Sequence, residues 1–217
     1  MKIFIPIKHV SQRVPHKNFR LIDGEPLYKK TLKKFSNHEI FVDTDSDQII
    51  EELKKDKLEN VTVFKRKGSL RGNEISVCEL IKNFIYQFSI KEPIAQIHVT
   101  SPFLTADLLE SAYRKIKNYD SVVSCNVIRS RIWRKEKYGF CPVNHNPLKM
   151  EQTQDLPKYY EENSAFYIFK PNIIKSYGNR IGKNPFFYEI NEPYNIDIDT
   201  EEDWTRALRE IKNERNN

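Results

Sequence analysis

Glycine is scarce in this chain, at 6 of 217 residues, and none lies between Lys8 and Asn18, a polar loop that directly follows an apolar segment. That absence excludes a P-loop and a dinucleotide fingerprint there, because both place glycines where backbone approaches phosphate. Cysteine is scarcer still. Cys78, Cys125 and Cys141 are too few and oddly numbered for a disulfide framework, and the apolar settings of Cys78 and Cys125 predict buried thiols. No apolar run approaches the ~20 residues needed to cross a bilayer. Only Ile3–Ile7 separates Lys2 from Lys8, which argues against a secretory signal and for a cytoplasmic protein away from membranes. The net charge of +6 is spread among 36 basic and 30 acidic residues with no finger, basic zipper or RRM pair, so nucleic acid is not the expected partner. Local attraction for a nucleotide or an acidic metabolite is the better use of that charge.

What is present alternates. Lys2–Ile7 reads as a buried strand, Pro26–Phe35 as a helix, Ile40–Val42 as a strand, Asp47–Lys55 as a helix and Val61–Phe64 as a strand. Between Glu74 and Phe88, apolar residues at Ile75, Cys78, Ile81, Ile85 and Phe88 recur at three- and four-residue spacing, which predicts a helix with one buried stripe. A strand at Ile94–Val99, a helix at Ala106–Ile116 and a strand at Ser121–Val127 continue the order. Strand–helix alternation predicts an α/β fold with a mainly parallel central sheet covered on both faces. The whole of 1–217 is expected to form one domain. From Arg129 to Tyr160 the period breaks amid Trp133, Tyr138, Phe140 and several prolines, which predicts an antiparallel extension or exposed arm used for dimerisation or as a lid. A strand at Ala165–Phe169 returns to the core, and a short helix starts near Pro171. Trp204, Ala207, Leu208 and Ile211 form the apolar stripe of a last helix, with 213–217 expected to fray.

Two polar clusters carry possible chemistry. Lys8, Arg13 and Lys17 lie in the loop at the carboxyl end of the first strand, where open α/β sheets place ligands. They can neutralise a triphosphate, with Arg13 offering a forked contact; a solvated basic turn is the plainer alternative. Near the other end, Asp197 and Asp199 are two apart in an extended segment, so their side chains point to one side and suit Mg²⁺. Ordinary capping is the competing reading, with Thr200 as N-cap and Asp203 three residues on.

Several motifs then occur together: Ile5-Pro6, the run from Ser11 to Arg20, Thr44-Asp45-Ser46, Thr100-Ser101-Pro102, Gln154-Asp155-Leu156-Pro157, Asn163 to Phe169, and Ile196-Asp197-Ile198-Asp199-Thr200. In this order they resemble the cytidylyltransferases that make CMP-activated sugar acids, such as CMP-sialic acid synthetases, over roughly 2–204. The resemblance implies a nucleotide-diphospho-sugar transferase-like three-layer fold, a CTP site at the first loop, Mg²⁺ near the late aspartates and a homodimer. By motif position Lys8, Ser11 and Arg13 face the nucleotide, Asn18 helps to fix the loop or the nucleotide, Asp197 and Asp199 serve the metal, and Asp45 and Ser101 are weaker nucleotide contacts. Asp45 and Ser101 also read as helix caps before Ile49 and Leu104.

The implied reaction is attack of an acceptor oxygen on the α-phosphorus of CTP, releasing pyrophosphate, with Lys8, Arg13, Lys17, Asp197 and Asp199 as the catalytic set and no enzyme nucleophile. The expected acceptor is the anomeric hydroxyl of a 2-keto-3-deoxy sugar acid, whose carboxylate Arg129, Arg131, Arg134 or Lys149 could receive. A phosphorylated polyol or phosphonate is the nearest alternative acceptor. An Asp-X-Asp glycosyltransferase and a noncatalytic nucleotide-binding subunit are the other two readings. Lys8, Gln12, His98 and Leu104 depart from the family pattern and bear on substrate choice; His98 either binds substrate or packs at a strand end.

Overall fold

The β-branched and aromatic residues of KIFIPI form the centre of the molecule. In the computed structural model, which describes residues 1–216, this strand β1 (Lys2–Ile7) pairs in parallel with β4 (Glu39–Thr44) on one side and β6 (Ile94–Ile97) on the other. The seven-stranded sheet runs β11-β7-β10-β6-β1-β4-β5, where β5 is Val61–Lys65, β7 Ser121–Ile128, β10 Tyr159–Phe169 and β11 Pro185–Glu189. Most pairings are parallel; β10 alone runs antiparallel to both neighbours, β6 and β7. Two short pairs stand outside the sheet: β2 (Leu21–Ile22) with β3 (Glu25–Pro26), and β8 (Trp133–Glu136) with β9 (Gly139–Pro142).

The pleat divides β1 between two cores. Ile3, Ile5 and Ile7 face a cluster with Tyr28 and Leu32 of α1 (Leu27–Lys34), Ile49 and Leu53 of α2 (Asp47–Asp56), and Leu109 and Ala112 of α4 (Ala106–Tyr113). Phe4 faces the other way, onto Leu80, Ile81, Phe84 and Ile85 of α3 (Val77–Gln87) and Ile174 of α5 (Pro171–Tyr177). The result is the three-layer α/β arrangement that strand–helix alternation predicts. A third cluster seats α6 (Glu201–Asn216) through Trp204, Ala207 and Ile211 against Ile22, Leu27, Phe103, Ile196 and Ile198.

Some details differ from the periodicity. The third helix begins at Val77, with Ser76 as its N-cap, and Leu80 and Phe84 join Ile81 and Ile85 in its buried stripe while Cys78 is only half-buried. Cys125 is buried as expected. β11 went unrecognised among aromatics that are each half-buried at the sheet edge. α6 extends to Asn216, and Asn217, the last of the residues expected to fray, lies outside the described residues. The irregular segment contains the β8–β9 hairpin, whose Trp133, Tyr138 and Phe140 are exposed.

The topology positions the site. The chain passes from β1 outward to β4 and β5, then returns to the opposite side of β1 with β6. Ligands of open α/β sheets bind outside the carboxyl ends of the strands at such a reversal, here between β1 and β6.

Candidate active site

A cavity of about 310 Å³ opens at that reversal. Its wall includes Lys8, Ser11, Arg13, Lys17 and Asn18 from the loop after β1, Arg66 after β5, and His98 and Thr100 after β6. The volume falls in the range of small-molecule sites, roughly 300–1,000 Å³.

The first loop is held from both ends. Asn18 Nδ2 donates to the Lys8 carbonyl at 2.7 Å, and the His9 amide donates to Asp45 Oδ1 at 2.7 Å. Lys8 Nζ reaches the Gly72 carbonyl and Asn73 Oδ1 at 3.2 and 3.3 Å, tying the loop to the segment before α3. Lys17 is not a solvated cation: it is buried, and its ammonium donates to the Ile198 carbonyl at 2.5 Å and lies 3.4 Å from Asp199 Oδ1. Arg13 stays exposed and donates to Asp199 Oδ1 at 2.7 Å. Residues 182 and 186 positions apart in sequence therefore meet at one place.

The acidic pair has two unlike members. Asp199 is satisfied by Arg13 and Lys17. Asp197 receives a bond from the Thr100 hydroxyl, but its Oδ1 is buried with no partner. Burial pushes the Asp197 carboxyl above the usual carboxylate range; the Asp199 charge adds to the rise, and the Thr100 bond and the Lys17 and Arg13 charges oppose it. An unpaired buried oxygen beside a second carboxylate fits a hard, oxygen-seeking cation such as Mg²⁺. Among the described residues no three His, Cys, Asp or Glu side chains converge, so such an ion would complete its shell with phosphate oxygens and water. Capping is also present: Thr200 and Asp203 exchange bonds, Thr200 N to Asp203 Oδ2 at 2.8 Å and Asp203 N to Thr200 Oγ1 at 3.2 Å. Cap and carboxylate pair use different residues of one segment, so the two readings coexist.

Other expected residues fall elsewhere. Asp45 does not line the cavity and anchors the loop instead, while the cap of α2 is Ser46, whose Oγ accepts from Ile49 N at 3.2 Å. Ser101 is buried behind the wall, its hydroxyl without a partner, and Thr105 caps α4. Arg129 and Arg131 bond to carbonyls of Gln154 and Glu151, Arg134 to Glu136, and Lys149 lies 3.7 Å from Glu151. These four cations thus serve the arm's own structure, and none lines the cavity. Sequence reasoning missed Arg66, which is buried, pairs with Asp43 and donates to the Asp43 carbonyl at 3.1 Å. Burial holds the Asp43 carboxyl above its ordinary range even with Arg66 beside it. Its signal was its place one residue past β5, the same strand-end logic that singled out Lys8. Gln96, which meets His98 from behind, and Arg180, which bonds Gln96, had no such signal.

Fold and site together define a nucleotide-diphospho-sugar transferase-like α/β protein. The chain superposes on a CMP:2-keto-3-deoxy-manno-octonic acid synthetase complexed with CTP at a TM-score of 0.69, with 14% identity and 98% of each chain covered. A 4-diphosphocytidyl-2C-methyl-D-erythritol synthase from Anaerococcus prevotii gives a TM-score of 0.65 at 15% identity, covering 97% of this chain and 96% of that one. The Cytidylyltransferase family model matches residues 3–217, and the chain belongs to that family. It is 30% identical to N-acylneuraminate cytidylyltransferase A of Danio rerio over 93% of this chain and 48% of that protein. It is 28% identical to the CMP-N,N'-diacetyllegionaminic acid synthase of Legionella pneumophila, over 97% of this chain and 96% of that one. The chain spans about half the length of the first curated relatives it matches. No helix among the described residues is long and apolar enough to cross a membrane.

Proposed function

We propose that this protein transfers CMP from CTP to the anomeric hydroxyl of a 2-keto-3-deoxy sugar acid and releases pyrophosphate. The observation that carries the reading is that Arg13 and Lys17, which share the cavity wall with Lys8, meet Asp199, next to Asp197 and its unpaired buried oxygen, although neither carboxylate lines the wall itself. Two cations beside two carboxylates, with Lys8 in the same cavity wall, suit a triphosphate and a divalent cation better than a neutral ligand. Relatives named for N-acylneuraminate and diacetyllegionaminic acid point to the acceptor class.

Asp197 and Asp199 would hold Mg²⁺, which when bound screens phosphate charge and stabilises the leaving pyrophosphate. Lys8, Arg13 and Lys17 bind and orient the phosphates, and Asn18, through the Lys8 carbonyl, keeps the loop in shape. The acceptor oxygen bonds to the α-phosphorus as its bond to the α,β-bridging oxygen breaks; that oxygen leaves with the electron pair as part of pyrophosphate, and the hydroxyl proton passes to solvent water. Use of CTP agrees with the reading of the protein as cytoplasmic. The arm at 129–160 is proposed to cross a homodimer interface: Trp133, Tyr138, Phe140, Leu148 and Met150 are 48–95% exposed in one chain, more apolar surface than a lone hairpin ordinarily presents.

Pyrophosphate release from CTP and Mg²⁺, measured with sialic-acid-type and legionaminic-acid-type sugars against phosphorylated polyols and phosphonates, tests the proposal. Turnover confined to sugar acids is the expected result. Release with the phosphorylated acceptors alone would replace the acceptor class, and no release with any of them would overturn the activity.

A further inference from the structure

His98 lines the cavity, yet the groups that determine its state lie behind it. Gln96 sits in β6 with no exposure at all, and a buried primary amide must be satisfied at both its oxygen and its nitrogen. Arg180 Nη1 donates to Gln96 Oε1, and a guanidinium offers donors only, so the amide oxygen is the end that faces it. Gln96 Nε2 is then the atom 2.8 Å from His98 Nε2. That amide nitrogen is a donor without acceptor capacity, so His98 Nε2 must accept, and the ring proton belongs on Nδ1.

Arg180 is itself fixed. Gly178, at φ 63, ends α5 and accepts the left-handed turn that leads the chain to Arg180. The guanidinium lies 3.4 Å from the centroid of the Tyr167 ring, and the Tyr167 hydroxyl donates to Glu162 Oε2 at 2.8 Å. An imidazolium at His98 would set two N–H donors against each other at Gln96. Burial, with the Arg180 and Lys17 charges behind and beside the ring, also lowers the His98 pKa to about 4 against the opposing pull of Asp199. No protein group among the described residues is bonded to His98 Nδ1.

We propose that Arg180 and Gln96 are positioning residues that hold His98 as a neutral Nδ1–H donor, presented to the acceptor beside Lys17 and Asp199. The inference rests on the cytidylyl-transfer reading for the identity of the ligand, though not for the state of the ring. Phosphate oxygens have Lys8, Arg13 and Lys17 at hand. An uncharged donor suits a hydroxyl or carboxyl oxygen of the incoming sugar and does not repel a cation held by the aspartates.

The full chain, labelled with ¹⁵N-histidine, gives the tautomer directly from long-range ¹H–¹⁵N spectra at neutral pH, with His98 assigned among the 5 histidines by its loss in His98→Gln. The parent is expected to carry the proton on Nδ1. Arg180→Met should free the Gln96 amide to turn and move the population towards Nε2–H, whereas Arg180→Lys, which keeps a donor, should retain Nδ1–H. Gln96→Glu places an acceptor opposite Nε2 and should put a proton there; it decides the matter if Arg180→Met does not fold. A parent with Nε2–H, or Nδ1–H persisting in both Arg180→Met and Gln96→Glu, overturns the relay. In steady-state assays His98→Leu should raise the acceptor KM about 5- to 10-fold, the loss of one neutral hydrogen bond. The CTP KM should stay unchanged, and His98→Asn, whose amide nitrogen stands near the Nδ1 position, should restore most of the loss. A rise in the CTP KM instead would overturn the acceptor assignment. If the parent turns over no acceptor, the cytidylyl-transfer reading fails while the spectra still decide the relay.

Discussion

Replacing Asp197 and Asp199 separately with asparagine should affect stability in opposite directions and metal response in the same direction. Asp197 is a buried carboxylate with an unpaired oxygen, held above its usual pKa by burial. Asp197→Asn removes, in nearly the same volume, a charge that burial and the neighbouring Asp199 both disfavour, so a gain of about 1 kcal/mol is expected. Asp199→Asn instead leaves Lys17, 11% exposed at its side chain, without its carboxylate. The Arg13 contact adds little because Arg13 is 67% exposed, so a loss of roughly 1–2 kcal/mol follows from the Lys17 side. At about 2–4 °C per kcal/mol for a chain of this size, Tm should rise a few degrees in the first variant and fall by about 2–8 °C in the second. Mg²⁺ with CTP should raise the parent Tm by mass action and have a much smaller effect in either variant. Thermal melts with and without Mg²⁺, alongside turnover, check all of this. The reasoning fails if Asp197→Asn is strongly destabilising, or if both variants keep the parental Mg²⁺ response.

Three further outcomes follow from the same structure. The His98 pKa is lowered from 6.5 to about 4, so the unfolded chain takes up a proton that the folded one refuses, and stability should fall as pH drops between those values. His98→Gln should flatten that part of a denaturation-against-pH curve; an unchanged slope would show that His98 contributes nothing to it. Arg66→Ala strands the buried Asp43 carboxylate and should cost about 3–5 kcal/mol in denaturant unfolding, with Arg66→Met/Asp43→Asn much milder; equal losses would deny the pairing its importance. Trp133→Ser with Phe140→Ser should dissociate a dimer in sedimentation while leaving the melting of the core intact, and a parent that is monomeric at every concentration would dispose of the arm's proposed role.

The three-layer fold was legible because its strands are short apolar runs with punctuated ends, and β1, β4, β5 and β6 share boundaries with those runs to within two residues. β11 was not: PFFYE sits half-buried at the sheet edge, and half-buried aromatics do not alternate. Lys8, Arg13 and Asn18 could be singled out because a strand end precedes them, and strand ends in one parallel sheet share one edge. The same rule, applied to β5, reaches Arg66 one residue later. Burial of Lys17 could not be read, since it depends on a carbonyl at Ile198 that local pattern does not connect to it. Arg180 was invisible for a similar reason, because it joins His98 only through Gln96, on a strand 84 positions earlier. Nor could the partners of Arg129 and Arg131 be read, since the carbonyls of Gln154 and Glu151 that they bond lie 25 and 20 positions on in an aperiodic segment.

The bond between Arg13 and Asp199, 186 positions apart, also sets a clock. At ~5–20 residues per second, the ribosome needs roughly 10–40 s after finishing the basic loop before it has made the carboxylate that loop will meet. Over that time the strands of the central sheet are made one after another, but the carboxylate that Arg13 and Lys17 meet in the folded protein is not yet present. A nascent chain therefore passes through a stage in which the basic loop exists without the carboxylate that pairs with it. On the proposed reading, a metal can be held only once the segment carrying Asp197 and Asp199 has been made, so fragments ending before Asp197 should neither bind Mg²⁺ at this place nor turn over CTP.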